Sequence, residues 1–165
     1  LGNKIYIVCN CLSIKVIKKN SLNGYLLCKV LKAGYLDSKK GVYIHSEISL
    51  PCLTHKDRYA LKLASELNIK YYAISFVNSH KDLEEVKKII GNNKFIISKI
   101  ETKNAIFNLN KITKNSDALL IDRGDLSRYV PIEKITIAQE SIIKQSIKLN
   151  TPTYVATNML ENMIK

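Results

Sequence analysis

Apolar and polar side chains alternate over short stretches of residues 1–42, which is the period of a β-strand with one buried face. The pattern is present in residues 4–7, 13–17 and 25–30. Asn23-Gly24, a pair typical of tight turns, separates the last two stretches. The sequence therefore predicts a small all-β region at the start of the chain.

The pattern changes after Leu50-Pro51, where helical periods alternate with nearly continuous apolar runs. Such runs are typical of parallel strands connected by crossover helices. We place the change between residues 43 and 50 and expect two parts, residues 1–42 and 43–165. In the second part the pattern predicts helices at residues 54–67, 79–90, 104–113 and after Pro131, and strands at residues 69–75, 94–99, 118–121 and 153–156.

Two helix starts carry a local signature. Thr54 and Ser79 are each followed three residues later by an aspartate, the spacing of a capping box, and Gly91 is a typical helix end. We expect these boundaries to be set by local contacts.

The composition is that of a globular protein, with 46% hydrophobic and 24% charged residues among 165. No apolar run approaches the roughly 20 residues that a membrane-spanning helix needs, and the first residues do not resemble a signal peptide. We therefore expect no membrane partner and a cytoplasmic location. Without a secretory context, the four cysteines are expected to be reduced.

The net charge of +12 and the pI of about 9.5 favour an anionic partner, such as a phosphorylated metabolite or a nucleic acid. The lysines are spread thinly, and aromatic residues are not interleaved with them as a base-stacking surface would require. We therefore expect no nucleic acid partner, and charge alone does not identify the ligand.

Ligand groups of parallel α/β folds gather where the strands end. Two carboxylates from neighbouring strands, Glu101 and Asp125, can hold a hard cation such as Mg²⁺. Lys99 is two positions before Glu101, points to the same side of an extended chain, and can supply positive charge to a phosphoryl group. The candidate residues at the predicted strand ends are Ser75, Lys99, Glu101, Gly124, Asp125 and Thr157.

Each of these elements is weak when taken alone. A Lys-x-Glu on a strand is often a solvated pair, and an Arg-Gly-Asp turn is common in loops. Their placement on successive strand ends favours a site. Gly124 leaves room for an anion near the backbone, and we expect a short helix to start at Asp125.

Longer motifs carry a resemblance to a known family. They are Ile-Ser-Lys-Ile-Glu at residues 97–101, Arg-Gly-Asp-Leu at 123–126, Ile-Ala-Gln at 137–139 and Ala-Thr-Asn-Met-Leu-Glu at 156–161. The order of these motifs and the intervals between them match those of the pyruvate kinase family, which the chain therefore resembles. The resemblance extends over nearly the whole chain through Lys40-Gly-Val42, Leu50-Pro51, Lys56-Asp57, Ser75-Phe76 and Glu85-Val86.

The resemblance implies a partial TIM (β/α)8 barrel over residues 43–165, preceded by part of a small all-β lid domain over residues 1–42. It also implies phosphoryl transfer from phosphoenolpyruvate to ADP, which gives pyruvate and ATP in glycolysis. The implied cofactors are Mg²⁺ or Mn²⁺ and K⁺, with the K⁺ ligands in an N-terminal part that this chain lacks. We expect a homo-oligomer for the full-length protein, and a fragment that is inactive and poorly soluble alone.

The resemblance also assigns roles. Lys99 would face the transferring phosphoryl group, and Thr157 would help to deliver the proton that makes pyruvate. Glu101 and Asp125 would bind the divalent cation. The other implied contacts are those of the substrate carboxylate with the backbone of Arg123, Gly124 and Asp125, and that of the phosphate with Ser75.

Two departures from the family pattern leave other functions open. Val8-Cys9-Asn10 replaces an acidic lid turn associated with the nucleotide. Asp122 stands where a small residue is expected, and its charge either extends or disturbs the metal site. One alternative is a metal-dependent aldolase or lyase that uses the same enolate-stabilising site. Another is a degenerate, non-catalytic relative, against which the retained Lys99, Glu101, Asp125 and Thr157 argue.

Overall fold

The computed structural model describes residues 2–7, 12–38, 40–44 and 51–156. The chain divides into two compact units, Leu1–Leu50 and Pro51–Lys165. The described residues of the first unit form strands without helices, and the second unit alternates strands with helices around a parallel sheet. The predicted mixed α/β character is therefore confirmed.

An antiparallel sheet forms the first unit. Gly24, with a φ of 66°, takes the left-handed conformation that the predicted Asn23-Gly24 turn requires and that glycine adopts without strain. The turn closes a hairpin in which Asn20 is paired with Tyr25. In the order β3-β2-β1-β4, the sheet contains β1 (Lys4–Ile7), β2 (Leu12–Asn20), β3 (Tyr25–Lys32) and β4 (Val42–Ile44).

Strand β4 lies where the change of region is expected from the sequence. It pairs with β1, with Val42 opposite Ile7 and Ile44 opposite Ile5. Residues 43 and 44 therefore belong to the first sheet. Along the chain, the boundary between the two compact units lies between Leu50 and Pro51 rather than after residue 42. Alternation over three residues is too short a signal to predict such a strand.

A parallel sheet forms the frame of the second unit. Its strands, side by side in chain order, are β5 (Tyr71–Ile74), β6 (Phe95–Ile100), β7 (Ala118–Asp122) and β8 (Thr153–Ala156). The helices are α1 (His55–Glu66), α2 (His80–Ile90), α3 (Lys103–Phe107), α4 (Leu109–Lys114), α5 (Arg123–Leu126) and α6 (Ile132–Lys148). Because all neighbouring strands are parallel, their carboxyl ends open on one edge of the sheet.

Local contacts set the boundaries of α1 and α2, as the sequence predicts. Thr54 Oγ1 accepts the Asp57 N–H at 3.2 Å, and the Asp57 carboxylate accepts the Thr54 N–H at 2.8 Å, which closes the capping box of α1. At α2 the Asp82 carboxylate accepts the Ser79 N–H at 2.8 Å. Gly91, with a φ of 83°, ends α2.

Two predicted helices differ from the structure. The helix predicted at residues 104–113 is broken at Asn108, whose side-chain amide donates to the Asn78 carbonyl at 2.9 Å, and α3 and α4 replace it. The short helix predicted to start at Asp125 begins at Arg123, because the Asp122 side chain caps it. Strand β5 is shorter than predicted, and β6 begins and ends one residue later.

The core of the second unit consists of apolar side chains from both the sheet and the helices. One face of α6 contributes Ile135 and Ile142, in agreement with its predicted period. In the described part of the chain, no helix has the length and apolar character needed to cross a membrane. The completely buried core side chains include Ile96, Ile100, Leu119 and Ile121 from strands and Leu83, Val86, Ile112 and Ile142 from helices.

Candidate functional site

Lys99 and Glu101 lie at the carboxyl end of β6. Lys99 is in the strand, and Glu101 directly follows its last residue, Ile100. Side chains two positions apart in an extended chain point to the same side. Lys99 Nζ is 2.6 Å from Glu101 Oε1, so the ammonium and the carboxylate lie side by side as the sequence predicts.

The Glu101 side chain is completely buried. Its Oε2 accepts the Phe76 N–H at 2.7 Å. Among the described residues, the Lys99 ammonium is the only donor group that contacts Oε1. Burial raises the pKa of the Glu101 carboxyl, and the contacts with Lys99 and the Phe76 N–H act in the opposite direction. The ionised form of this carboxylate therefore depends on a cation beside it.

Lys99 also contacts a second carboxylate, with its Nζ 3.2 Å from Asp122 Oδ2. Burial acts to lower the pKa of Lys99, but the hydrogen bonds and charges of Glu101 and Asp122 together outweigh it, and the pKa is raised. The side chain keeps 21% of its exposure. The ammonium is therefore charged at neutral pH and still accessible from solvent.

Asp122 and Asp125 lie at the carboxyl end of the neighbouring strand. Asp122 is the last residue of β7, and its Oδ1 accepts the Asp125 N–H at 3.3 Å, which fixes the first turn of α5. The Asp125 carboxylate pairs with the Arg128 guanidinium at 2.7 Å. Because Ile100 is paired with Ile121, the ends of β6 and β7 lie side by side.

These two strand ends bring three carboxylates together. Glu101, Asp122 and Asp125 each offer one oxygen within 4.8 Å of the others. Carboxylate oxygens suit a hard divalent cation such as Mg²⁺ or Mn²⁺. The buried Glu101 Oε1, which has only a cation beside it among the described residues, supports the same fit.

The other predicted site residues are less closely associated with the cluster. Ser75 directly follows β5, is exposed, and accepts the Cys52 thiol at its carbonyl oxygen at 3.9 Å. Arg123 and Gly124 lie in α5 beside Asp125. Thr157 and the Val8-Cys9-Asn10 turn fall outside the described residues. Of the predicted set, the structure therefore brings Lys99, Glu101 and Asp125 together.

Two residues that the sequence analysis did not assign to the site, Phe76 and Arg128, contact the carboxylates of Glu101 and Asp125. The Phe76 contact with Glu101 uses a backbone N–H, which leaves no signal in the residue type. Phe76 has a φ of 54°, which is rare for a bulky residue. This backbone conformation accompanies the hydrogen bond from its N–H to the buried Glu101 carboxylate. Arg128 is three residues after Asp125, and that spacing on a helical turn could have indicated the ion pair.

The second unit is thus a parallel α/β domain that holds a lysine and three carboxylates at the ends of adjacent strands. The family model described as "Pyruvate kinase, barrel domain" matches residues 1–165. The chain belongs to the pyruvate kinase family. This finding confirms the resemblance carried by the sequence motifs.

Individual relatives agree with the family model. The pyruvate kinase of Dictyostelium discoideum is 33% identical over 169 residues, an alignment that covers 100% of this chain and 33% of the relative. The pyruvate kinase of Agrobacterium vitis is 34% identical over 92% of this chain and 32% of the relative. That of Staphylococcus saprophyticus is 36% identical over 92% of this chain and 26% of the relative. The chain spans about a third or less of the length of these relatives.

Proposed function

We propose that this chain is the part of a pyruvate kinase-like phosphotransferase that binds the divalent cation and the transferring phosphoryl group. The reaction is phosphoryl transfer from phosphoenolpyruvate to ADP, which yields pyruvate and ATP. The main support is the position of Lys99, whose ammonium contacts Glu101 and Asp122 at the strand ends of a domain of this family.

Lys99 faces the transferring phosphoryl group in this proposal. The neighbouring carboxylates raise its pKa and so keep the side chain positively charged. Phosphoryl transfer depends mainly on positioning and on the neutralisation of charge. A charged ammonium at the strand ends, held between two carboxylates, stabilises the negative charge on the phosphoryl oxygens.

Glu101 and Asp125 hold the divalent cation, Mg²⁺ or Mn²⁺, with carboxylates from adjacent strand ends. When bound, the cation neutralises and orients the phosphoryl oxygens. The Phe76 N–H and the Arg128 guanidinium fix the two carboxylates by contacts of 2.7 Å each. Such contacts position ligands before the cation arrives.

The remaining assignments follow the family motifs and the strand ends. The backbone of Arg123, Gly124 and Asp125 holds the substrate carboxylate in this assignment, because these residues directly follow β7 in α5. The Asp125 N–H already donates to Asp122 Oδ1 at 3.3 Å, so its contribution requires that this hydrogen bond be shared. Ser75 directly follows β5 and lines the phosphate pocket. Thr157 lies one residue beyond β8 in sequence and helps to deliver the proton to the enolpyruvate.

The second unit is part of a TIM (β/α)8 barrel in this proposal. Its four strands are neighbours in chain order, whereas a doubly wound sheet reverses that order at a switch point. The first unit is part of a lid domain. K⁺ is a further cofactor, and the whole protein is a cytoplasmic homo-oligomer in this proposal.

An assay of pyruvate formation from phosphoenolpyruvate and ADP, with Mg²⁺ and K⁺, tests the proposal on a polypeptide that carries this chain within its natural flanking sequence. We expect turnover that Lys99→Met lowers by about a hundredfold to a thousandfold. Glu140→Gln, which neutralises an exposed carboxylate of α6, serves as the control with unchanged turnover. The 165-residue chain alone is expected to be inactive.

Absence of ADP-dependent turnover in the unaltered polypeptide would contradict the proposal. Carbon–carbon bond cleavage or formation by the same polypeptide would then support the aldolase or lyase alternative. Absence of both activities, with cation binding lost from the cluster, would support a non-catalytic relative.

A further inference from the structure

A third carboxylate joins the two that the proposed function assigns to the cation. Asp122 Oδ2 lies 3.2 Å from Lys99 Nζ, and an Asp122 oxygen is within 4.8 Å of oxygens of Glu101 and Asp125. The Asp122 side chain is only 18% exposed. Its charge is therefore less screened by water than that of a surface carboxylate.

The charges in contact with one another do not balance. Lys99 contacts Glu101 and Asp122, and Arg128 contacts Asp125, so two cationic side chains face three carboxylates. With all groups ionised, one negative charge is left over. Without Asp122, the two remaining carboxylates would be matched by the two cations. Asp122 thus supplies the surplus charge that attracts a divalent cation to the protein itself.

We propose that Asp122 is a third carboxylate ligand of the divalent cation and lets that cation bind before the phosphorylated substrate. The inference rests on the proposed function in taking Glu101 and Asp125 as the other ligands. A Mg²⁺ site with one or two carboxylates relies on substrate phosphates to complete its ligand set. A third carboxylate raises the affinity of the protein alone, because cation affinity rises with the number of charged ligands.

Asp122 also caps α5, so its contribution to cation binding has to be separated from this structural contact. Asparagine and serine are good helix caps. Asp122→Asn and Asp122→Ser therefore keep an acceptor for the Asp125 N–H while removing the carboxylate. Thermal unfolding followed by circular dichroism verifies that both variants remain folded.

Mn²⁺ alone is titrated, without any phosphorylated ligand, into the polypeptide that carries this chain within its natural flanking sequence, and free Mn²⁺ is measured by electron paramagnetic resonance. We expect Asp122→Asn and Asp122→Ser to weaken Mn²⁺ binding by about tenfold or more. The matched control is Glu140→Gln, which also removes one negative charge but at a position where the side chain is 62% exposed. Its affinity is expected to stay within about twofold of that of the unaltered chain.

Glu101→Gln separates the role of Asp122 from the proposed cation site itself. Loss of Mn²⁺ binding in Glu101→Gln, with unaltered affinity in both Asp122 variants, overturns the role of Asp122 and leaves the proposed cation site in place. Unaltered affinity in all three variants overturns both. A lack of Mn²⁺ uptake by the unaltered chain also overturns the inference, whereas the turnover assay still tests the proposed function.

Discussion

Lys99 Nζ lies 2.6 Å from Glu101 Oε1, and the carboxylate of this pair is completely buried, whereas the lysine side chain keeps 21% of its exposure. Burial penalises the ionised carboxylate more than the ammonium. The carboxylate therefore depends on the lysine, and on the Phe76 N–H, to remain charged inside the protein.

Lys99→Met is expected to lower the free energy of unfolding by about 2–3 kcal/mol, because it leaves a buried carboxylate without its cation. The value lies below the range of roughly 3–5 kcal/mol for fully buried pairs, because the ammonium is partly solvated. Urea denaturation at neutral pH measures the change. The double variant Lys99→Met with Glu101→Gln is expected to recover part of the loss, and a double variant no more stable than Lys99→Met would contradict this account.

Asp117 extends the contact between β6 and β7. Its carboxylate accepts the Ile96 N–H at 2.8 Å, and its own N–H donates to the Ile96 carbonyl at 3.0 Å. Asp117→Ala is expected to destabilise the chain by about 1–3 kcal/mol, because the Ile96 N–H is left without an acceptor. Hydrogen exchange at the Ile96 amide should become faster.

Asp37→Ala is the control for Asp117→Ala, because the Asp37 side chain is 76% exposed. Its effect on the free energy of unfolding is expected to stay within about 0.5 kcal/mol. Equal effects of the two substitutions would show that the Asp117 contact adds no stability.

The capping box of α1 is expected to make stability depend on pH. Hydrogen bonds from the Thr54 hydroxyl and N–H lower the pKa of Asp57 below its ordinary value of 3.8. Ionised Asp57 therefore stabilises the folded state at pH values above its ordinary pKa. This stabilisation is lost as the pH falls through the lowered pKa of the folded state. Asp57→Asn should cost about 0.5–1 kcal/mol at neutral pH, and the difference should shrink below about pH 4. A difference that is constant from pH 7 to about pH 2 in urea titrations would contradict the linkage.

Cys52 is expected to be an unreactive thiol. Burial, and then the negative charges of Asp82, Glu85 and Asp57, raise its pKa from 9.0 to about 12. Only the thiolate reacts with iodoacetamide, so a variant with Cys52 as its sole cysteine should be alkylated at least roughly a hundredfold more slowly than free cysteine at pH 8. Unfolding in urea should remove the protection, and rapid alkylation without urea would contradict the prediction.

Local signals in the sequence were sufficient for much of the second unit. The capping box of Thr54 and Asp57 connects residues three apart, and the glycine stop at Gly91 uses a single residue type. The predicted strand at residues 153–156 matches β8. Such features depend on neighbours along the chain, so periodicity and residue type reveal them.

Contacts between distant segments explain the predictions that failed. The break between α3 and α4 is fixed by a hydrogen bond between Asn108 and Asn78, which lie 30 residues apart. The sequence does not indicate that these two residues come into contact. Strand β4 forms by pairing with β1, and a run of only three residues is too short for the sequence to predict that pairing.

For the candidate site, the sequence by itself determined that Lys99 and Glu101 share one side of a strand, because alternation in an extended chain is a local property. Only the tertiary structure decided that Asp122 reaches Lys99, that Arg128 pairs with Asp125 and that the Phe76 N–H, two residues after β5, holds Glu101. The physical reason is the register of the parallel strands. Hydrogen bonds that pair Lys99 with Leu120 and Ile100 with Ile121 set which side chains meet at the edge of the sheet.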